Sequence, residues 1–439
     1  VRDRKDLGKI IKMAFHIAST GKPGPVLIDL PKDIQTASGP AEYPDSVQIR
    51  GYKPNESVHI GQLKKAYKLL RTAKKPLILA GGGINIAHAN DKLLALAEKM
   101  RIPVVTTIMG KGAIPTSHPL YVGNSGMHGK YAANMAVSKC DVLFSIGTRF
   151  NDRITGDLNE FAPKAKIVHI DVDTASISRN VVVDVPIVSD AKLALEKLLE
   201  WAEPKDTAAW QERIKAWDEK NPLEMRRDRG MTPQMIMEHI NHTFDEAVFV
   251  TDVGQNQMWA TQYLDIDEKR QMITSGGLGT MGFGFPAAIG AKIGNRDTEV
   301  VCVTGDGGFQ MNIQELETVH REKLPVKIFI LNNRVLGKIS ETQHFSHGDR
   351  FAATAESGGY TVPNFQKIAE AYGIRAATLG DCRELDSYKE WFTDNEACLF
   401  NISLPSESFL TPKIKFETGM INPKLNDDDY AKARAILAV

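Results

Sequence analysis

The sequence predicts an α/β protein built on doubly wound parallel sheets. Three observations predict it. Short, near-continuous apolar runs such as Pro76-Leu-Ile-Leu-Ala80 and Val326-Lys-Ile-Phe-Ile-Leu331 have the pattern of strands buried on both faces. Helix-forming stretches separate these runs, an alternation that leads to parallel crossovers. Glycine, Asp or Asn strings follow several of them directly, and the carboxyl ends of such strands are where open α/β sheets hold ligands.

The elements follow in order. Val1-Arg-Asp-Arg-Lys5 leads into an amphipathic helix over 6–20 and a strand, Val26-Leu-Ile-Asp-Leu30. One helix and one strand cannot satisfy a parallel sheet, so residues 1–36 read as the end of an α/β domain most of which lies upstream. From about 35 to 59 the chain is polar and carries Pro40, Pro44 and Pro54, a linker composition. A second unit, 60–200, contains Pro76–Ala80 running into Gly81-Gly-Gly83, a helix over 90–100, and strands over 103–106, 141–146 and 166–170. The charged stretch 202–229 is a second connection. A third unit, 230–410, starts at Thr232-Pro233, with proline placed for a first helical turn. It continues through strands over 247–251, 299–304, 326–331 and 398–402 and the glycine-rich 275–290, and a tail, 411–439, follows. No internal repeat is visible.

Composition bounds the function classes. The chain has 439 residues, 42% hydrophobic and 25% charged, with 54 basic residues balancing 54 acidic ones. That length supports two or three proper cores, and the balanced charge argues against nucleic acid as a partner. No apolar stretch is long enough to span a membrane, and the N-terminus lacks a signal-peptide core, so a cytoplasmic protein is expected. Cys140, Cys302, Cys382 and Cys398 are scattered without a Cys-x-x-Cys pair and read as reduced, mostly buried thiols.

The strongest chemical signal is a pair of strings, Gly305-Asp306-Gly307 and Asn332-Asn333, with 24 residues (308–331) between them. Each ends an apolar strand. Asp306 supplies a carboxylate and Asn333 a carbonyl oxygen, hard ligands suited to a Mg²⁺ ion that also holds phosphates. Gly305, Gly307 and Gly308 leave room for a phosphate against backbone N–H groups. Asn312 and Glu315 have the spacing of a capping box and predict a helix whose positive end faces the anion. The three-residue string alone is a chance motif; spacing and strand context give it weight.

With that context the clasp matches the signature of thiamine diphosphate enzymes. Over roughly residues 1–335 the chain resembles the catalytic large subunits of acetohydroxyacid (acetolactate) synthases. The resemblance rests on Lys22-Pro-Gly-Pro-Val26, Leu30-Pro-Lys-Asp33, Gly126-Met-His-Gly129, Gly147-Thr-Arg-Phe-Asn-Asp-Arg153, His169-Ile-Asp-Val-Asp173, Asp252–Ala260 and Ser275–Gly290, besides the clasp. It implies a thiamine diphosphate-binding fold with a central FAD/NAD-like Rossmann-type domain. It implies thiamine diphosphate and Mg²⁺ on Asp306, Asn333 and the backbone oxygen of Val335, with Gly305, Gly307, Gly308, Gln255 and Asn256 near the phosphates. Gly279 would accept a hydrogen bond from the aminopyrimidine, and Met281 would hold the cofactor bent. FAD would lie on Gly82, Gly83, His128, Arg149, Arg153, Asp171, Val172 and Asp190. The implied reaction decarboxylates pyruvate and joins the two-carbon unit to a second 2-oxo acid, in branched-chain amino acid biosynthesis. The implied assembly is a homodimer or tetramer with a possible regulatory small subunit.

Several positions depart from the family. Lys22 stands for an arginine, Asn151 for an aspartate, Asn256 for a histidine, and 123–126 lacks a usual methionine. Past Asn333 the run Gly337-Lys-Ile-Ser-Glu-Thr-Gln343 places Thr342 where a tryptophan usually stands, and Lys338 adds a charge that could meet an acidic acceptor. Residues 404–416 also depart and could cover the site. His344 and His347 read as part of a solvated loop, since no third metal ligand has convincing spacing. The glutamate that activates the cofactor in this family has no counterpart among these residues, so the chain alone is expected to turn over weakly. A thiamine diphosphate lyase or decarboxylase with another 2-oxo acid, and a non-catalytic paralogue, stay open as alternatives.

Overall fold

The computed structural model describes residues 1–55, 57–225 and 230–410. Among these residues twelve strands form two six-stranded sheets in which every pairing is parallel. The first sheet uses β1 (Pro76–Ala80), β2 (Val104–Thr106), β3 (Tyr121–Asn124), β4 (Val142–Ile146), β5 (Lys166–Asp171) and β6 (Val185–Val188). Their order is β3-β2-β1-β4-β5-β6, the order of dinucleotide-binding sheets. The chain winds outward from β1, then returns to β4 on the other side. A crevice therefore opens beyond the carboxyl ends of β1 and β4.

The second sheet uses β7 (Ala247–Thr251), β8 (Arg270–Thr274), β9 (Glu299–Gly305), β10 (Val326–Asn332), β11 (Arg375–Leu379) and β12 (Cys398–Ser403), in the order β11-β12-β10-β9-β7-β8. Here the winding reverses between β7 and β9. The clasp residues thus lie at or beside a reversal, where two crossovers diverge and leave strand ends uncovered.

Alternation along each strand explains the layers. Ile78 and Ala80 pack with Leu63, Leu70, Leu93, Leu96, Leu195 and Leu198 on one face of the first sheet. Leu77 and Leu79 face Val137, Trp210 and Ile214 on the other. In the second sheet Phe249 joins one core and Val250 the opposite one. Each fully buried side chain of this size contributes about 1.5–3 kcal/mol. The continuous apolar runs exist because both faces of each central strand are covered by helices.

Glycines at the β1/β4 reversal have a packing reason. A Cβ on Gly81 would fall 2.1 Å from the Gly147 carbonyl oxygen, and one on Gly83 would fall 2.6 Å from the Gly147 Cα. Gly147 itself has a φ of +61°, a conformation other residues adopt only under strain. The two chain segments cross in contact, with Gly83 N–H donating to Gly147 O at 3.1 Å.

Two expectations are corrected. Residues 26–30 form no strand, and they are largely exposed; an apolar run becomes a strand only where a neighbour completes its ladder, and none is present among the described residues. Asn312 does not cap a helix with its side chain but donates to Gly282 O at 2.6 Å. The helix that follows Gly305 starts at once, at Asp306–Gln310. Asn364 and Thr232 do cap their helices. The expected tail, 411–439, lies outside the described residues.

Candidate active site

The clasp is assembled at the ends of β7, β9 and β10. Strand β9 ends in Gly305, and Asp306 begins the next helix, so its carboxyl group sits among backbone N–H groups. Asp306 is 2% exposed, and its Oδ2 has no hydrogen-bond partner. Burial pushes its carboxyl up to about 7, with the N–H groups of Gly307 and Asp306 acting in the other direction. A buried oxygen of this kind, held by fixed dipoles and lacking a donor, is a seat for a cation.

Asn333, one residue past β10, is buried and donates Nδ2 to Gln255 Oε1 at 2.9 Å. Its Oδ1 is then the atom that remains for a cation. The chain turns sharply here because Arg334 adopts a φ of +59°, with its N–H donating to Asn332 Oδ1 at 3.1 Å. That turn carries Val335 past the strand end. Gln255 and Asn256 open the helix Gln255–Tyr263 from the end of β7. Asn256 lies beside the glycines, and a Cβ on Gly305 would come within 3.5 Å of its Oδ1. Its Nδ2, however, is taken up by the carbonyls of Asp252 (3.0 Å) and Val303 (3.2 Å), so it clamps β7 to β9.

The glycine string fits the same space. A Cβ on Gly307 would meet Leu336 Cδ2 at 2.6 Å and Met281 Cε at 3.5 Å, which brings Met281 to the clasp. Gly308 would collide with the Asp252 carboxylate at 2.5 Å. Gly279 has a φ of +75° in an exposed loop, beside Leu278, which is 90% exposed.

Sequence reading missed Asp252. Its buried carboxylate accepts from Val253 N (2.7 Å), Gly282 N (3.0 Å) and Gly284 N (2.8 Å). Burial raises its pKa while these N–H groups lower it. It therefore fixes the middle of the glycine-rich segment, at Gly282 and Gly284, to the end of β7. The signal was an acid directly after a strand of mostly apolar residues, Ala247–Thr251, a place where only bonding to backbone donors makes a buried charge tolerable.

The residues assigned to a flavin are spread along the first sheet's strand ends. Gly82 and Gly83 follow β1, while Arg149 and Arg153 follow β4 and are exposed. Arg149 reaches across to the glycine loop, its Nη2 3.9 Å from a Cβ built on Gly277. Asp171 ends β5, accepts from Asp173 N at 2.9 Å and has its pKa raised by burial. Val172 follows it. Lys22 pairs with Asp173 at 2.9 Å, which ties the N-terminal segment to this crevice. Asp190 caps the helix Ala191–Trp201, accepting from Lys192 N and Leu193 N. His128 is apart from this row: its ring meets Lys338 Nζ, and its carbonyl accepts from Gln262 Nε2 at 3.1 Å. Thr342 is exposed and donates to Lys338 O. The His344 ring stacks on Phe409 with centroids 4.9 Å apart.

A cavity of about 490 Å³ opens between the two sheet units, lined by Lys111, Tyr121, His128, Glu238, Asn241 and Gln262 among others, without any clasp residue. Lys111 is buried at its edge and donates to Thr261 O at 2.6 Å. Burial brings its pKa down to about 7, opposed by Asp265. The folded chain then holds fewer protons than the unfolded chain between about pH 7 and pH 10, so stability contributed through this group rises with pH in that window. Lys111→Met is expected to flatten this slope, by up to about 1.4 kcal/mol per pH unit. Urea midpoints of both proteins at pH 7 and pH 9 check it; parallel slopes would show that the amine is not perturbed.

Among the described residues no helix is long and apolar enough to cross a membrane. Residues 63–198 match the family description "Thiamine pyrophosphate enzyme, central domain", and residues 252–402 match "Thiamine pyrophosphate enzyme, C-terminal TPP binding domain". The chain is 44% identical over 426 residues to a probable acetolactate synthase large subunit of Methanococcus aeolicus, covering 92% of this chain and 71% of that one. It is 42% identical to the probable acetolactate synthase large subunit of Methanocaldococcus jannaschii, covering 100% and 78%. With the acetolactate synthase isozyme 3 large subunit of Escherichia coli K12 it shares 41% identity, covering 88% and 69%.

Proposed function

The chain belongs to the acetolactate synthase large-subunit family of thiamine diphosphate enzymes, and from that premise we propose that it is a catalytic carboligase. It would take the two-carbon unit of pyruvate, after loss of carbon dioxide, onto a second 2-oxo acid. The observation that carries this reading is the buried Asp306 Oδ2 without a partner, facing the strand reversal beside Asn333.

Thiamine diphosphate supplies the electron sink that makes decarboxylation and carbon–carbon bond formation accessible. The chain's own residues bind and orient it. Asp306, the Asn333 carbonyl and the backbone of Val335 would hold Mg²⁺, a donor set of hard oxygens that suits this ion. Gly305, Gly307 and Gly308 would admit the diphosphate to backbone N–H groups, Gln255 and Asn256 would border it, and Gly279 and Met281 would face its far end. Domains over 1–36, 60–200 and 230–410 fit this division of labour.

FAD would lie in the crevice of the first sheet. The reversal between β1 and β4 is the place where sheets of this order take dinucleotides, and Arg149 and Arg153 would bring directed donors for its phosphates. The exposed glycine loop with Leu278 supports assembly with a second copy, as a dimer or tetramer. A small regulatory subunit agrees with the "large subunit" in the relatives' names. Lys338 beside His128 favours one variant of the reading, an acceptor 2-oxo acid bearing an extra negative charge.

The test is a thiamine diphosphate titration with and without Mg²⁺, followed by tryptophan fluorescence. Binding that strengthens about tenfold or more with the metal is expected. Equal affinity in both conditions would sink the reading.

A further inference from the structure

Two side-chain amides stand in series behind the clasp, and their orientation is set from one end. Gln255 presents Oε1 to Asn333 Nδ2 at 2.9 Å. Its Nε2 donates to Glu341 Oε2 at 3.2 Å and to Ser408 O at 3.2 Å. Glu341 is 0% exposed, in the helix Gly337–His347. Room for the Gln255 amide is made by Gly337, where a Cβ would fall 1.9 Å from Gln255 Oε1.

A carboxylate and a backbone carbonyl only accept hydrogen bonds, whereas an amide can present either face. The acceptors Glu341 and Ser408 therefore oblige Gln255 to turn Nε2 toward them and Oε1 away. Oε1 in turn obliges Asn333 to point Nδ2 at Gln255. The only face of Asn333 left for the clasp is its carbonyl oxygen, the face a cation requires.

We propose that Glu341 is a positioning residue for the metal site: together with the Ser408 carbonyl and acting through Gln255, it sets the polarity of the Asn333 amide so that Oδ1 faces the bound cation. The proposal rests on the reading of Asn333 as a metal ligand. Groups that orient metal ligands in this way carry a tenfold to hundredfold share of metal affinity, on the order of what ligand-orienting partners show elsewhere.

The experiment titrates Mg²⁺ into the full chain saturated with thiamine diphosphate, using calorimetry. Glu341→Met removes the acceptor at similar volume, and Glu341→Asp keeps the charge but withdraws it by one methylene. Either variant that folds is expected to bind Mg²⁺ about 10–100-fold more weakly, while metal-free diphosphate affinity stays at the parent value. Glu341→Gln can still accept from Gln255 and is expected to stay within about threefold of the parent, far inside the range lost by the other two. A general folding defect would lower metal-free binding as well and would give no rescue by glutamine. Parent-like Mg²⁺ affinity in Glu341→Met or Glu341→Asp would overturn the proposal, as would an equal loss in Glu341→Gln. A parent chain with no metal dependence would refute the functional reading itself, a separate outcome.

Discussion

Asp306→Ala is expected to weaken Mg²⁺-dependent thiamine diphosphate binding by about 100-fold or more while making the ligand-free chain more stable. The two effects have one cause. The carboxylate is 2% exposed with Oδ2 unpartnered, and burial pushes it up to about 7. Without a cation, such a group costs the fold about 1–3 kcal/mol in lost solvation; with one, the same oxygen becomes a strong ligand. Metal ligands contribute more than the tenfold to hundredfold typical of their supporting groups, hence the larger factor. Calorimetric titration measures the first effect and urea unfolding of the ligand-free protein the second. Loss of stability with unchanged metal dependence would show that Asp306 serves only to start its helix.

Lys327→Met is expected to do the opposite, destabilising the chain by about 3–5 kcal/mol with little change in cofactor affinity per folded molecule. Lys327 sits near the start of β10, and its ammonium is 0% exposed. Nζ donates to the carbonyls of Trp391 (2.7 Å), Asp394 (2.9 Å) and Glu396 (2.9 Å), and lies 3.4 Å from Asp394 Oδ1. Methionine would fill the volume but leave three part-buried carbonyl acceptors without this donor, each at a cost of up to about 1–3 kcal/mol before relaxation. Arg375 keeps Asp394 paired at 2.6 Å, which moderates the loss. Chemical denaturation with a thiamine diphosphate titration separates the two quantities. A variant as stable as the parent would mean that water replaces the ammonium readily.

The contrast between these two residues reflects the ends of one sheet. Asp306 follows β9 at the carboxyl edge, where strand ends are left open; Lys327 is at the opposite edge, where it is tied to the end of the helix Lys389–Thr393 and the bend that follows it.

What could be read from sequence divides along the same physical lines. The eight interior strands all gave apolar runs, because helices cover both of their faces. The four that gave none, β3, β6, β8 and β11, are the four sheet edges. Tyr121–Asn124 ends in glycine and asparagine, Val185–Val188 contains proline, Arg270–Thr274 is buried only at its two ends, and Arg375–Leu379 starts on a charge. An edge strand is paired on one side only, so burial does not select its composition strongly. Residues 26–30 failed in the other direction, having the composition of an interior strand and no partner strand among the described residues. At the site, the residue types of the proposed clasp stand out in the sequence because the chemistry proposed for it calls for a carboxylate, an amide oxygen and bare backbone at fixed strand ends. Asp252, Glu341 and Lys327 were not, because they act by bonding to backbone or to other amides brought near only by the fold. Spacing along the chain says nothing about a contact 86 residues away such as Gln255 to Glu341.

The helix Gln255–Tyr263 begins at the clasp with Gln255 and Asn256 and finishes against the first sheet unit, where Thr261 O receives Lys111 and Gln262 reaches the His128 carbonyl. Nine residues at about 1.5 Å each make a rod roughly 13 Å long. A rod of that kind has no internal hinge. Any sideways step of the first unit at its far end must tilt the near end too, moving Gln255 and with it the setting of Asn333. The two units therefore share one mechanical tolerance: the clasp can be no better aligned than the seam that holds the other end of this helix.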